Sequence, residues 1–92
     1  MKEKFDFFEY ARSCLNFHII NDKKNFELDF KMKVEDIEFV NYKYGKVLHD
    51  NFREDEYYFV ELLLGTDGNL GSLAKYLVLI DENFEFIEDA FV

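Results

Sequence analysis

Cys14 and His18 are the two side chains whose chemistry and spacing come nearest to a catalytic pair. They are four residues apart, which places them on one side of a helix, and a histidine beside a cysteine can act as the base that generates a thiolate nucleophile. Cys14, however, falls in an apolar helical stripe with Tyr10 and Ala11, and a buried free cysteine usually behaves as a small hydrophobic side chain. We therefore expect no catalytic residue and no enzymatic activity.

Three glycines, Gly65, Gly68 and Gly71, form a loop with the spacing G-x-x-G-x-x-G. A dinucleotide-binding loop needs G-x-G-x-x-G between a strand and a helix, and a P-loop needs a lysine directly after its last glycine. No lysine or arginine lies between Arg53 and Lys75. The loop therefore predicts a connection between two strands, and we expect no cofactor.

The candidate metal ligands are few and irregularly spaced. Cys14, His18 and His49 form no H-x-x-x-H or C-x-x-C pair. The segment Asp67-Gly68-Asn69 resembles part of a calcium loop, but the positions after it lack the spaced oxygen ligands and the terminal glutamate of such a site. We expect no metal site.

The net charge of −9 lies entirely in the second half of the chain. Residues 1–46 carry nine basic and nine acidic side chains, whereas residues 47–92 carry two basic and eleven acidic ones. Such an excess of negative charge repels nucleic acid and anionic membranes and attracts basic protein surfaces. We therefore expect no direct binding to nucleic acid or membrane; the charge serves either a basic partner or solubility alone.

Two acidic segments, each with aromatic neighbours, are the candidates for a partner-binding surface. Aromatic anchors inside a ring of charge are typical of specific protein interfaces, because the aromatic rings contribute affinity and the charges accelerate association. The predicted partner-binding residues are Asp50, Glu54, Asp55, Glu56, Tyr57, Asp81, Glu82, Glu85, Glu88 and Asp89.

The chain of 92 residues has the size of one domain, and we expect a single domain over residues 1–92. Its one cysteine cannot form an intramolecular disulfide, which suits a reducing compartment. The N-terminus is too polar for a secretory signal, and no apolar run is long enough to cross a membrane. We expect a soluble, cytoplasmic protein.

The hydrophobic pattern predicts the elements that must position these residues. Apolar residues at helical spacing predict a helix over Glu3–Asn16 without a strong N-cap, with Glu3 and Asp6 in its first turn. A short strand follows at 17–20, then a hairpin turn at 21–25. Strict alternation from Phe26 to Val34 predicts a strand with one buried face.

The rest of the chain predicts a sheet. The apolar alternation continues through 37–44 with one change of parity, which a bulge or short turn would explain. Residues 46–56 form a loop or a short helix. Strands are predicted at 57–64, 73–80 and 84–87, with a connection at 65–72 and a tight turn at 81–83. The predicted fold is α+β: one N-terminal helix packed on an antiparallel meander sheet of five or six strands.

In size, charge and lack of catalytic motifs, the chain resembles the small acidic inhibitors of phages and bacteria, namely anti-CRISPR proteins and the immunity proteins that neutralise toxin nucleases. That resemblance covers no specific positions. It implies a stoichiometric inhibitor that mimics nucleic acid and occupies a basic, nucleic-acid-binding surface of an effector. The alternatives are an immunity protein against a toxin nuclease, and a structural or oligomer-forming domain with incidental charge. The sequence leaves the oligomeric state open.

Overall fold

The computed structural model describes residues 5–48, 55–66 and 68–92, apart from the side chains of residues 70 and 71. These ranges contain one long helix and four strands. Helix α1 spans Phe7–Phe30, a turn of 3₁₀ helix spans Val34–Asp36, and strands β1 to β4 span Glu38–Val47, Tyr57–Thr66, Asn69–Asp81 and Phe86–Phe91. The α+β class with one helix on an antiparallel sheet is confirmed, but the described residues form four strands and not five or six.

The start of α1 is set by a capping motif. Asp6 is the N-cap, and its Oδ1 accepts a hydrogen bond from the backbone N–H of Glu9 at 3.0 Å. Phe5, just before the cap, lies 5.4 Å from Tyr10 between ring centroids, so the two rings close the first turn as a hydrophobic staple. The prediction that the helix lacks a strong N-cap is therefore wrong, and Glu3 lies outside the described residues.

Helix α1 continues through the segment predicted as a short strand and a turn. Residues 17–20 are helical, and the predicted hairpin turn at 21–25 is a kink at Asp22, which has φ −151° and ψ 49°. Asn25 donates a side-chain hydrogen bond to Oδ2 of Asp22 at 3.0 Å. The strand at 17–20 is a wrong prediction, because the turn-forming residues bend the helix instead of ending it.

The predicted strand at 26–34 is also wrong, and the spacing of its residues explains why. Phe26 and Phe30 share a face in a strand, but they are also four residues apart and share a face in a helix. In α1, Phe26 is buried with its ring 4.9 Å from that of Phe30, whereas Leu28 is 63% exposed. The helix ends at Lys31 in the left-handed region (φ 56°), where the N–H of Met32 donates to the carbonyl of Glu27 at 3.1 Å.

The four strands form a meander in the order β1-β2-β3-β4. The predicted strands at 57–64 and 73–80 are confirmed as the greater part of β2 and β3, which pair at the centre of the sheet. A bulge or short turn was predicted to change the parity in this segment, and β1 has a register shift between Asn41 and Lys43, two residues after the predicted change at Val40. The connection at 65–72 is shorter than predicted, because β2 runs to Thr66 and β3 begins at Asn69, with Gly68 (φ 79°) between them.

The core lies between α1 and one face of the sheet. Ala11 and Leu15 of α1 are buried against residues such as Val60, Leu62 and Val78 of the central strands. Burial of a leucine or valine side chain stabilises a fold by about 1.5 to 3 kcal/mol. The core therefore fixes the first half of α1 over β2 and β3, which brings the start of the helix next to the β3–β4 turn.

Candidate partner-binding groove

A groove with a volume of about 1130 Å³ runs between the first half of α1 and the end of the sheet formed by β4 and the β3–β4 turn. Most of its lining side chains are aromatic or acidic. The lining residues are Phe5, Asp6, Glu9, Tyr10, Ser13, Cys14, Phe17, His18, Phe84, Phe86 and Asp89.

Aromatic rings form the floor of this groove. Phe84 stacks on Phe5 with ring centroids 4.5 Å apart and on Tyr58 at 5.6 Å. Although packed in this way, Phe84 remains 41% exposed and Phe86 49% exposed. A concave cluster of exposed aromatic side chains is typical of an interaction site rather than of ordinary surface.

The backbone of the β3–β4 turn holds Phe84 in this position. Oδ1 of Asp81 accepts hydrogen bonds from the N–H groups of Asn83 at 2.8 Å and Glu85 at 3.0 Å, and the Phe84 N–H donates to the Asp81 carbonyl at 2.9 Å. Phe84 itself has φ 64°, in the left-handed region. Hairpin loops of this length usually place glycine there, and a larger residue costs about 1 to 2 kcal/mol. The turn thus presents a phenyl ring where the backbone favours glycine.

Carboxylates border the aromatic floor. Asp6 and Glu9 contribute from the first turn of α1, and Asp89 contributes from β4. Among the described residues that line the groove there is no lysine or arginine, and His18 is the one basic side chain. The groove therefore combines apolar surface with a negative border.

Asp89 also connects the groove to the core. Its Oδ2 accepts a hydrogen bond from the hydroxyl of Tyr76 at 2.5 Å and lies 2.5 Å from Nε2 of His18. Tyr76 is fully buried, and burial together with its hydrogen bond to Asp89 raises its pKa, so the hydroxyl remains a donor at physiological pH. Asp89, predicted as a partner contact, thus also has a structural role.

Cys14 lines the groove as a partly buried thiol. Burial raises its pKa, and the nearby charge of Asp89 raises it further. Both effects disfavour the thiolate, which is the form that nucleophilic catalysis requires. The surroundings of Cys14 therefore favour the protonated thiol over the thiolate.

Four of the predicted partner-binding residues, Glu56, Asp81, Glu82 and Glu85, lie where β2 begins and β3 ends, and we call this group the acidic end. Oε2 of Glu56 lies 2.7 Å from Nζ of Lys46, and this hydrogen bond raises the pKa of Lys46, with a smaller contribution from the charge of Glu82. One lysine therefore offsets part of the negative charge of the acidic end.

Tyr10 links the acidic end to the groove. Burial raises the pKa of its hydroxyl, and so do the nearby Cys14, Asp81 and Glu85 in that order. Of the predicted acidic surface, which combined the acids of residues 50–56 with those of residues 81–89, Asp81 and Glu85 lie near Tyr10. The acids of the first turn of α1 and those of the acidic end therefore surround the same side of the molecule.

The other predicted contacts lie elsewhere. Tyr57 is only 6% exposed, and its strand parity places it on the face of the sheet away from α1, as does that of Glu88, which pairs with Leu79. Asp55 is exposed next to the start of β2. Asp50 and Glu54, and most of the predicted loop or short helix at 46–56, lie outside the described residues.

The aromatic and acidic residues that matter most in the groove are absent from the predicted set: Phe5, Asp6, Glu9, Phe84 and Phe86. One local signal was present, because Asp6 followed by Glu9 three positions later is a capping-box pattern and Phe5 precedes it. That pattern places the two acids together at the start of a helix. The approach of Phe84 to Phe5 has no local signal, since it depends on how α1 lies on the sheet.

In the described ranges, no three His, Cys, Asp or Glu side chains are arranged to hold a metal ion. No helix there is long and apolar enough to span a membrane. Comparison of the chain with protein-family models, curated proteins and solved structures gives no match.

Proposed function

We propose that this protein binds a basic partner protein through the groove between α1 and the β3–β4 turn, and that it inhibits the partner by covering its nucleic-acid-binding surface. The observation that carries the proposal is the composition of the groove: exposed Phe84 and Phe86 within a border of Asp6, Glu9 and Asp89.

The two parts of the groove have different roles in this proposal. The aromatic floor accepts an apolar side chain of the partner and supplies most of the affinity, as buried aromatic anchors do in other interfaces. The carboxylates, together with the acidic end, attract lysine and arginine side chains over about a Debye length of 10 Å and so raise the association rate. The carboxylates of Asp6 and Glu9 line the same groove as the aromatic rings. The attraction of basic side chains and the apolar contacts therefore occur at one site.

Inhibition follows from the chemistry of the partner. Surfaces that bind nucleic acid are rich in lysine and arginine, because they neutralise phosphates. A carboxylate-bordered groove competes for the same side chains, while its aromatic floor adds contacts that a phosphate backbone does not offer. The same chemistry applies to a nucleic-acid-guided effector and to a toxin nuclease.

A peptide titration followed by amide chemical shifts tests the proposal. The probe is a short amphipathic helix of lysine and leucine, with two matched controls: a glutamate and leucine peptide of the same length, and a lysine and serine peptide without apolar side chains. We expect the lysine and leucine peptide to shift the amides of residues 5–18 and 84–89. The glutamate peptide should cause no shift, and the lysine and serine peptide should bind more weakly.

The pattern of amide chemical-shift changes distinguishes binding in the groove from a general charge effect. Shifts confined to residues 5–18 and 84–89, and reduced at about 0.5 M salt, support the groove. Equal shifts over all acidic surfaces, or equal binding of the lysine peptides with and without leucine, would show a general charge effect and would contradict a built site.

A further inference from the structure

The face of the sheet away from α1 is a second apolar surface. Six apolar residues of alternate parity to the core point to this side of the sheet, and none of these six belongs to the core under α1 or packs against it. All six are partly exposed, whereas Tyr57 on the same side of the sheet is buried. We call this surface the open face; its apolar residues are Val40, Val47, Phe59, Leu63, Leu77 and Leu79.

A sheet with apolar side chains on both faces is usually covered by a further layer on each. In the described ranges, α1 provides that layer for one face only. Phe59 lies opposite Leu79 in the register of β2 and β3, and Leu63 lies opposite Val40 in that of β1 and β2. Glu61 lies between these two apolar pairs on β2, and Leu77, opposite Glu61 on β3, connects them.

Charged residues occupy defined positions on the open face. Oε2 of Glu61 lies 3.8 Å from Nζ of both Lys43 and Lys75, and that oxygen is buried without a hydrogen-bond donor. Both lysine Nζ atoms also lie near the ring of Tyr42, at 5.3 and 5.7 Å from its centroid. One carboxylate therefore faces two ammonium groups here, which gives this cluster a net positive charge, while Glu38 adds a carboxylate at the start of β1 on the same face.

Glu88 gives the β4 side of the same face the opposite charge. It pairs with Leu79 in the β3–β4 register and is exposed. A two-fold axis parallel to the strands would lay β1 of one copy over β4 of a second copy, and β2 over β3. That operation lays Lys43 over Ala90 of the second copy, two residues along β4 from Glu88, and Phe59 over Leu79, each of them twice. The open face is thus complementary to itself in charge and in apolar surface.

The size of the open face is sufficient for a stable contact. Strands of 10 residues extend about 33 Å, and four strands spaced by about 4.8 Å cover about 19 Å. The area is therefore about 600 Å² per copy and about 1,200 Å² in total, which reaches the lower end of the range for specific interfaces.

We propose that two copies of this chain pack through their open faces as a two-fold β-sandwich, with α1 of each copy on the outside. Packed sheets of this kind align within about 30°. The arrangement is independent of the proposed groove function, but it leaves both grooves accessible on opposite sides, so one dimer would offer two binding sites.

The first test is the mass of the purified full chain in solution, by sedimentation or light scattering. We expect the mass of two chains of 11.1 kDa each. Leu79→Lys places a charge opposite Phe59 at both apolar contacts of the proposed dimer. The change should raise the dimer dissociation constant on the order of 100-fold. Leu28→Lys, a matched change at a site on α1 that is 63% exposed, should leave the dimer intact.

A charge exchange tests the two-fold arrangement without relying on Leu79→Lys folding well. Lys43→Glu and Glu88→Lys should each weaken the homodimer by repulsion, whereas a mixture of the two variants should form heterodimers, because every facing pair is then of opposite sign. A monomeric wild-type chain would overturn the proposal. A dimer that is unaffected by Leu79→Lys, or a mixture of the charge variants that stays monomeric, would also overturn it.

Discussion

The ring of Phe84 stacks on the ring of Phe5 with centroids 4.5 Å apart and planes inclined by 11°. Phe84 comes from the β3–β4 turn and Phe5 from the residue before the N-cap of α1, so this contact joins the two walls of the groove. Phe84 makes it from a left-handed backbone conformation. The groove is therefore built around an aromatic residue that the turn alone would not favour.

Replacement of Phe84 by glycine should separate the stability of the turn from binding. Glycine relieves the left-handed strain of about 1 to 2 kcal/mol, while the lost ring contacts cost about 0.5 to 1.5 kcal/mol each. With the three ring contacts that Phe84 makes, we expect the free energy of unfolding, measured with urea, to fall by no more than about 3.5 kcal/mol, and the affinity for the lysine and leucine peptide to fall about tenfold.

Lys31→Gly is the matched control for that change. Lys31 also has a left-handed backbone, at the end of α1, but its side chain is remote from the lining residues of the groove. The variant should be more stable than the wild type by about 0.5 to 1 kcal/mol and should bind the peptide equally well. If Phe84→Gly binds like Lys31→Gly, the ring of Phe84 is not part of the binding site.

The Tyr76–Asp89 hydrogen bond should contribute to stability as a coupled pair. Tyr76→Phe leaves the carboxylate with one donor fewer, and Asp89→Ala leaves a buried hydroxyl without its acceptor. Hydrogen bonds to charged groups are worth about 1.5 to 3 kcal/mol, so a double-mutant cycle by urea unfolding should give a coupling energy in that range. Single changes that add to within about 0.3 kcal/mol would show that the contact contributes little.

The thiol of Cys14 should ionise at a higher pH in the folded protein than in the unfolded chain, because burial and the charge of Asp89 raise its pKa. The unfolded chain then releases the thiol proton first as pH rises, so the free energy of unfolding should fall as pH increases from about 8.5 upwards. Cys14→Ala should reduce that decline, and the tyrosines with raised pKa, Tyr10 and Tyr76, should account for the part that remains.

The rate of alkylation by iodoacetamide provides a direct measurement of Cys14. Its pH profile in the folded protein should lie at higher pH than the profile of the same thiol in denaturant. Rapid alkylation of the folded protein below pH 8 would show an activated thiolate and would return the Cys14–His18 pair to consideration as a catalytic site.

The sequence predicted the elements whose pattern is local and unambiguous. The stripe of Ala11, Cys14 and Leu15 predicted the first half of α1, and the apolar runs predicted β2 and β3. The second half of α1 was predicted as a strand, because Phe26 and Phe30 fit both the strand period of two residues and the helical spacing of four. The exposure of Leu28, which a strand would bury with them, distinguishes the helix from the strand. That exposure is a tertiary property, which a single sequence does not reveal.

The candidate site could be predicted only in part, for the same reason. Counting charges predicted that the acids of the loop before β2 and of the terminal hairpin share one surface. Asp81, Glu82 and Glu85 lie at one end of the sheet with Glu56, whereas Glu88 lies on the face away from α1. Counting charges did not identify Asp6 and Glu9, because they belong to the half of the chain that has no net charge. Net charge along the sequence says nothing about which turn of a helix docks beside which hairpin.

The most direct test of the groove is the affinity of the lysine and leucine peptide for two variants of equal net charge. Asp6→Asn with Glu9→Gln removes both acids of α1 from the groove while asparagine preserves the N-cap. Asp29→Asn with Asp36→Asn removes two exposed acids that do not line it. Measured at about 0.05 M and about 0.5 M salt, the first variant should bind about five- to tenfold more weakly than the second at low salt, and the difference should shrink at high salt. Equal affinities for the two variants at low salt would contradict the account.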